Sequence, residues 1–246
     1  MKRFLLFLAP IALFFICCTR QPMHVSSVST ELLAVDSTLN AIQDTSYLNI
    51  IAPVHDELES QLCIPLGNAP EPMIAAKPES PLLNWATDAL LAMAESETGE
   101  TIDLAVVNCG GLRCAWQAGP ITFRHVFELM PFDNELVILT MTGDKLLMLA
   151  QNCVEQGGQG VSAGFRVEGK DGLLTHVTLN GKEIVPEAYY KVATSDYLSG
   201  GADGLTALTM FEDKTLTGKK IRDLYIEYVR RQQTVTAKVD GRMNIK

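Results

Sequence analysis

The chain has 246 residues, 47% of them hydrophobic, with 20 basic and 29 acidic side chains and a formal charge of −9. An excess of acid on this scale repels polyanions and excludes a nucleic-acid backbone as partner, while a single small phosphate ester stays compatible with a few converging basic groups. The length suits one compact domain with a leader, and Cys63, Cys109, Cys114 and Cys153 fit neither a dense disulfide scaffold nor a zinc site, so they read as mostly buried small apolar residues.

The N-terminus, MKRFLLFLAPIALFFICC, places Lys2 and Arg3 before an apolar run from Phe4 to Ile16. This is the pattern of a secretory signal, and the run falls short of the roughly 20 residues that span a bilayer. Cys18, followed by Thr19, Arg20 and Gln21, resembles a bacterial lipobox in which the thiol is lipidated and becomes the mature N-terminus. Cys18 is favoured over Cys17, and an ordinary cleaved signal is the alternative. The expectation is a signal over residues 1–17, export to the bacterial cell envelope and a lipid anchor in the membrane. Cleavage removes Lys2 and Arg3 and makes the mature chain more acidic still.

Residues 18–44, rich in Ser, Thr and Val without a sustained period, read as a tether to a compact domain over 45–246. Ile51 to Leu62 is amphipathic, and Pro65 to Pro72 is rich in breakers. Ser80 and Pro81, as N-cap and first helical residue, open a helix over Leu82 to Met93. Ile102 to Val107 reads as a buried strand ending in the Gly110–Gly111 loop, and Leu136 to Met141 as a second strand. Thr142 and Asp144 open a helix over Lys145 to Val154. Leu173 to Leu179 and Glu183 to Val185 flank Asn180 and Gly181 as a predicted hairpin. Tyr190 to Thr194 is a strand that enters the loop Ser199 to Gly204. The helix Lys219 to Arg231 presents Ile221, Leu224, Tyr225 and Tyr228 on one face, and Val235 to Val239 is a final strand. Helices and strands mixed in this way predict one α/β domain.

Three loops carry residues suited to recognition. In NCGGLR, two glycines allow close backbone approach to a ligand and Arg113 offers a planar fork for phosphate or carboxylate, although a tight turn with a solvated arginine fits equally. In MPFDNE, Phe132 is either a stacking ring or a residue packed beneath a loop. In TSDYLSGGADG, Tyr197 can stack and Asp203 can accept hydrogen bonds from a base or ribose, or the stretch is a glycine turn with a capping Asp.

Taken together, NCGGLR, MPFDN, the Gly-rich GQGVSAG and YLSGGADG, in that order and spacing from about Asp44 onward, resemble the C-terminal domain of the 5'-nucleotidase family. That family includes UDP-sugar hydrolases and cyclic-nucleotide phosphodiesterases and couples a metallophosphoesterase domain to a nucleoside-binding one. The resemblance implies a layered α/β/β/α fold. It makes Asn108 and Arg113 contacts to the polar and phosphate-side groups of the ligand, Phe132 and Tyr197 an aromatic clamp on the base, and Asn134 and Asp203 partners of base and ribose. The second ring is usually Phe in the family and is Tyr197 here. Where the family places arginine before its first helix this chain has Lys77, Pro78 and Glu79, which weakens the phosphate cradle, and the wording near Gly158 to Gly164 departs enough that no contact is assigned there.

A two-metal phosphoesterase needs His, Asp and Asn ligands holding metals about 3.5 to 4 Å apart. His24, His55, His125 and His176 are scattered over a tether, two helices and a strand. No metal site is expected, nor a G-x-S-x-G elbow or P-loop, and Cys109 lacks an evident histidine to activate it. Two readings follow. One is the substrate-binding half of a split nucleotidase, with divalent metals only in a separate metallophosphoesterase partner; the other is a stand-alone lipoprotein that binds nucleosides or nucleotides.

Overall fold

The computed structural model describes residues 25–41 and 44–246, so the leader and Cys18 lie outside the described residues. The chain divides into two units, Met1–Ile50 and Ile51–Lys246. In the first, residues 25–35 carry neither helix nor strand and a short 3-10 turn spans Ser37–Ala41. Helix α1 (Thr45–Leu62) begins in that unit and ends in the second, and none of its residues is buried. No helix among the described residues is long and apolar enough to cross a membrane.

The second unit is built on a five-stranded sheet in the order β5 (Gly160–Val161), β2 (Leu104–Val107), β8 (Tyr189–Ser195), β4 (Glu135–Thr142) and β9 (Asp213–Lys220). β2 and β8 run parallel, and β4 is antiparallel to both β8 and β9. All four residues of β2, Leu-Ala-Val-Val, are buried because both faces of the sheet are covered. Its alternate side chains go to opposite sides. Ala105 and Val107 join Leu136, Ile138 and Ala193 in a core beneath helices α2 (Pro81–Thr98) and α5 (Ile221–Gln232). Leu104 and Val106 join Val137, Leu139 and Val192 in a second core. That core is closed by α4 (Gly143–Glu155) and by a smaller sheet in the order β10 (Met243–Ile245), β6 (Phe165–Lys170), β7 (Leu173–Leu179). β1 (Pro65–Ala69), β3 (Gly119–Thr122) and α3 (Phe123–Leu129) complete the helical side. The result is the layered α/β/β/α fold expected.

Several elements differ from the sequence reading. Asn180 and Gly181 do turn with positive φ (52° and 73°), but the second hairpin arm is no strand, and only Leu179 and Lys182 pair. The carbonyls of Pro186 and Ala188 instead accept from Asp144 and Gly143 N–H, satisfying donors at the start of α4 that have no partner within the helix. Gly143 is required there, since a Cβ would meet the Val185 carbonyl oxygen at 2.0 Å. The final strand falls at Met243–Ile245, parallel to β6, and not at Val235 to Val239; Val235 is held by Asn68 and fills the helical-side core. Lys219 and Lys220 end β9 before α5 begins. The polar composition of β9 suits an exposed sheet edge and leaves no clean alternation in the sequence to mark it as a strand. Ser80 occupies the N-cap of α2, yet its hydroxyl accepts from Ala76 N at 2.8 Å and makes no cap bond.

Candidate functional site

β2 and β8 end, and β4 begins, at one edge of the five-stranded sheet. The three sequence-distant loops that follow or precede them therefore emerge side by side, as in open α/β sheets that bind ligands beyond strand ends. They enclose a cavity of about 280 Å³ lined by Asn108, Gly110, Gly111, Arg113, Phe132, Asn134, Tyr197 and Asp203. All six residues singled out from the sequence are thus brought together.

Phe132 is 38% exposed and Tyr197 50%, so neither ring is a packing residue beneath its loop. Asp203 sits at positive φ (53°), held in the turn where Gly201 and Gly204 also have positive φ. One carboxylate oxygen accepts from Asn108 Nδ2 at 2.5 Å and the other from Tyr197 Oη at 3.3 Å. The negative charge of Asp203 beside it pushes the Tyr197 hydroxyl above its ordinary value, keeping it protonated and able to donate. Gly111 allows Asn108 to pack close, since a Cβ there would lie 2.7 Å from Asn108 Oδ1. Arg113 donates to the Gly110 carbonyl at 3.0 Å, and its guanidinium carbon lies 6.0 Å from the centre of the Phe132 ring. Among the described residues it is the one basic side chain lining the cavity. Lys77, which stands where the family places arginine, donates to the Gln156 carbonyl at 2.5 Å and does not line the cavity.

Among the described residues, the cysteines and His125 add neither an activated thiol nor a cluster of metal ligands to the cavity. Burial pushes the Cys109 thiol up, which disfavours the thiolate, and its N–H donates to buried Gln159 Oε1 at 2.8 Å. Burial pushes Cys153 up to about 12, and Cys114 is also raised by burial. All four described thiols are free; Cys153 is buried, Cys109 and Cys114 are half-buried and Cys63 is exposed, so one of the four is fully buried where most were expected to be. His125 caps α3 by accepting from Thr122 N. Among the described residues no group of three or more His, Cys, Asp or Glu is placed to hold a metal.

Three supporting residues escaped the sequence reading. Asp196 bonds both aromatic loops, Arg222 holds the Phe132 loop from α5, and Gln159 holds the NCGG loop. Asp196 and Gln159 lie within the quoted stretches TSDYLSGGADG and GQGVSAG, where no contact is assigned to them; Arg222 bears no local mark, because it bonds a backbone carbonyl 90 residues away in sequence.

The model of the 5'-nucleotidase C-terminal domain matches residues 65–213. A 5'-nucleotidase of Vibrio cholerae is 26% identical over 186 residues, covering 74% of this chain and 34% of its own length. The trifunctional nucleotide phosphoesterase protein YfkN of Bacillus subtilis is 29% identical over 181 residues, 67% of this chain and 12% of that protein. Among solved structures, a 5'-nucleotidase precursor from Thermus thermophilus superimposes with a TM-score of 0.70 at 26% identity, over 82% of this chain and 42% of that one. The NAD nucleotidase of Haemophilus influenzae shares the fold, with a TM-score of 0.62 at 20% identity over 82% of this chain and 41% of its own. This chain therefore spans about a third to two fifths of the length of the 5'-nucleotidases it matches. The matched residues include the loops that build the cavity, and the chain belongs to the 5'-nucleotidase C-terminal domain family.

Proposed function

We propose that this chain recognises a nucleoside or nucleotide as the substrate-binding half of a split 5'-nucleotidase, with hydrolysis supplied by a separate metallophosphoesterase. The observation that carries the reading is the convergence of two exposed rings, Phe132 and Tyr197, with Asn108, Asn134, Asp203 and Arg113 around one cavity. Rings in water stack on a base of either kind, and carboxylate and amide groups match the donors and acceptors of base and ribose. Arg113 supplies the positive charge on the phosphate side. The 5'-nucleotidases it resembles are longer, this chain matching 34% and 42% of the length of two of them. Divalent metals belong to that partner in this reading. In the second reading, a stand-alone binding lipoprotein, the same pocket captures its ligand for uptake or sensing.

Calorimetry with adenosine and AMP, together with phosphate release by this protein, by a metallophosphoesterase from the same cell envelope and by their mixture, separates the readings. The split enzyme predicts binding without turnover by this chain, a mixture faster than the partner alone, and loss of most of that gain in Arg113→Ala. Binding with no gain in the mixture favours the stand-alone protein, and binding of neither ligand overturns both. Membrane attachment through Cys18 is part of the proposal. Cys18→Ser should release the protein from the membrane fraction, and unchanged retention would sink that assignment.

A further inference from the structure

We propose that Asp196 is a positioning residue that sets the spacing between the two rings of the pocket by tying their loops together, an inference that rests on the nucleoside reading above.

β4 and β8 pair in antiparallel register up to Leu136 and Ser195. Beyond that pair the loops diverge, one backward to Asn134 and Phe132, the other forward to Tyr197. Asp196 is the first residue past the ladder. Its N–H donates to the Glu135 carbonyl at 2.9 Å and extends the ladder by one bond. Its side chain then does what the ladder cannot. A single carboxylate oxygen, Oδ1, accepts from Glu135 N at 3.1 Å and from Tyr197 N at 2.8 Å. One of these amides adjoins Asn134 and the other belongs to the second ring itself. The Asp196 carbonyl accepts from Ser199 Oγ at 2.7 Å, which fastens the next turn of the same loop.

The Phe132 loop is held from its other side by Arg222. This side chain is 12% exposed, stacks on Phe127 with its carbon 4.3 Å from the ring centre, and donates to the Phe132 carbonyl at 3.3 Å and to Asp133 at 2.7 Å. Arg222 thus anchors one loop to the body of the domain, while Asp196, alone among the described residues, bonds both. Neither exposed ring belongs to a core cluster, so beside the bond from Tyr197 Oη to Asp203 it is the position of their backbone that sets where they stand. A gap between rings off by a fraction of an ångström loses stacking contact.

Both donors to Asp196 are backbone amides, so the role needs an acceptor oxygen at that spot and no negative charge. Asp196→Asn keeps the oxygen, and Asp196→Ala removes it. The rings should then act independently: adenosine binding weakens about fivefold to tenfold in Asp196→Ala and stays near native in Asp196→Asn. The coupling between Phe132→Ala and Tyr197→Ala, expected as non-additive losses in the native background, should disappear in the Asp196→Ala background. Native affinity in Asp196→Ala, equal losses in the Asn and Ala variants, or coupling that survives without the carboxylate each overturn the proposal.

Amide exchange at Glu135 and Tyr197 provides a readout that does not depend on a ligand. Both amides should exchange faster in Asp196→Ala and keep their protection in Asp196→Asn; unchanged exchange in the Ala variant refutes the positioning role. If the native protein binds no nucleoside while exchange responds as expected, the functional reading falls and the tie between the loops stands.

Discussion

Two polar regions of the Ile51–Lys246 unit use charge in opposite ways. At the C-terminal corner, Arg242 has a side chain 4% exposed and all three of its nitrogens are engaged. It forks onto Asp88 at 2.8 and 3.0 Å, grips Asp240 through Nε and Nη2, and donates to the Val161 carbonyl. This joins α2, β5 and the start of β10. In the pocket, by contrast, the Arg113 guanidinium donates to one described group, the Gly110 carbonyl, the side-chain amide of Asn134 bonds no other described residue, and two aromatic rings are exposed. A charged cluster with every valence answered within the chain is architecture, because a ligand would have to break bonds to enter. A cluster with spare donors beside exposed rings is ready to recognise something.

The largest test of this contrast is at the corner. Arg242→Met should lower stability by about 2 to 3 kcal/mol, less than a fully buried pair because Asp88 and Asp240 keep 37% and 34% of their surface exposed. Thermal unfolding should shift down by several degrees while adenosine binding to the folded protein is unchanged. Hydrogen bonds from Arg242 hold the Asp240 carboxyl below its ordinary value of 3.8. A depressed acid contributes stability above its unfolded pKa and loses it as pH falls through the folded one, so this contribution fades below about pH 4. The variant should lose that part of the acid sensitivity. A loss of binding in the folded variant would show that the two regions are not independent.

Next in size, Phe132→Ala and Tyr197→Ala should each weaken adenosine binding by about 1 to 3 kcal/mol, with melting temperature nearly unmoved since both rings are exposed. Calorimetry paired with thermal unfolding reads both quantities, and a large drop in melting temperature would reclassify the rings as core. The smallest effect concerns Tyr225, wholly buried in the helical-side core, whose hydroxyl bonds no described residue and whose burial pushes it well above the ordinary tyrosine value. Tyr225→Phe removes an unanswered polar group and should raise stability by up to about 1 kcal/mol in denaturant titrations. A loss would mean that an internal water serves the hydroxyl.

The sequence by itself determined the strong periodic elements and the chemistry of the pocket. The helix after Pro81, the buried strand ending at Val107 and the apolar face of Ile221, Leu224 and Tyr225 are written in local patterns of burial and capping. Asn108, Arg113, Phe132, Asn134, Tyr197 and Asp203 were legible because glycine turns and exposed aromatics stand out from the strands beside them, and because their order matched a family. Only the tertiary structure decided that three loops as far apart as residues 108 and 203 share one cavity, since the pairing of β2 with β8 and of β8 with β4 sets which strand ends are neighbours. It also decided the roles of Asp196, Arg222 and Arg242. Each binds backbone or side-chain groups distant in sequence, and a hydrogen bond of that kind leaves no periodicity, composition or spacing to be read before the chain has folded.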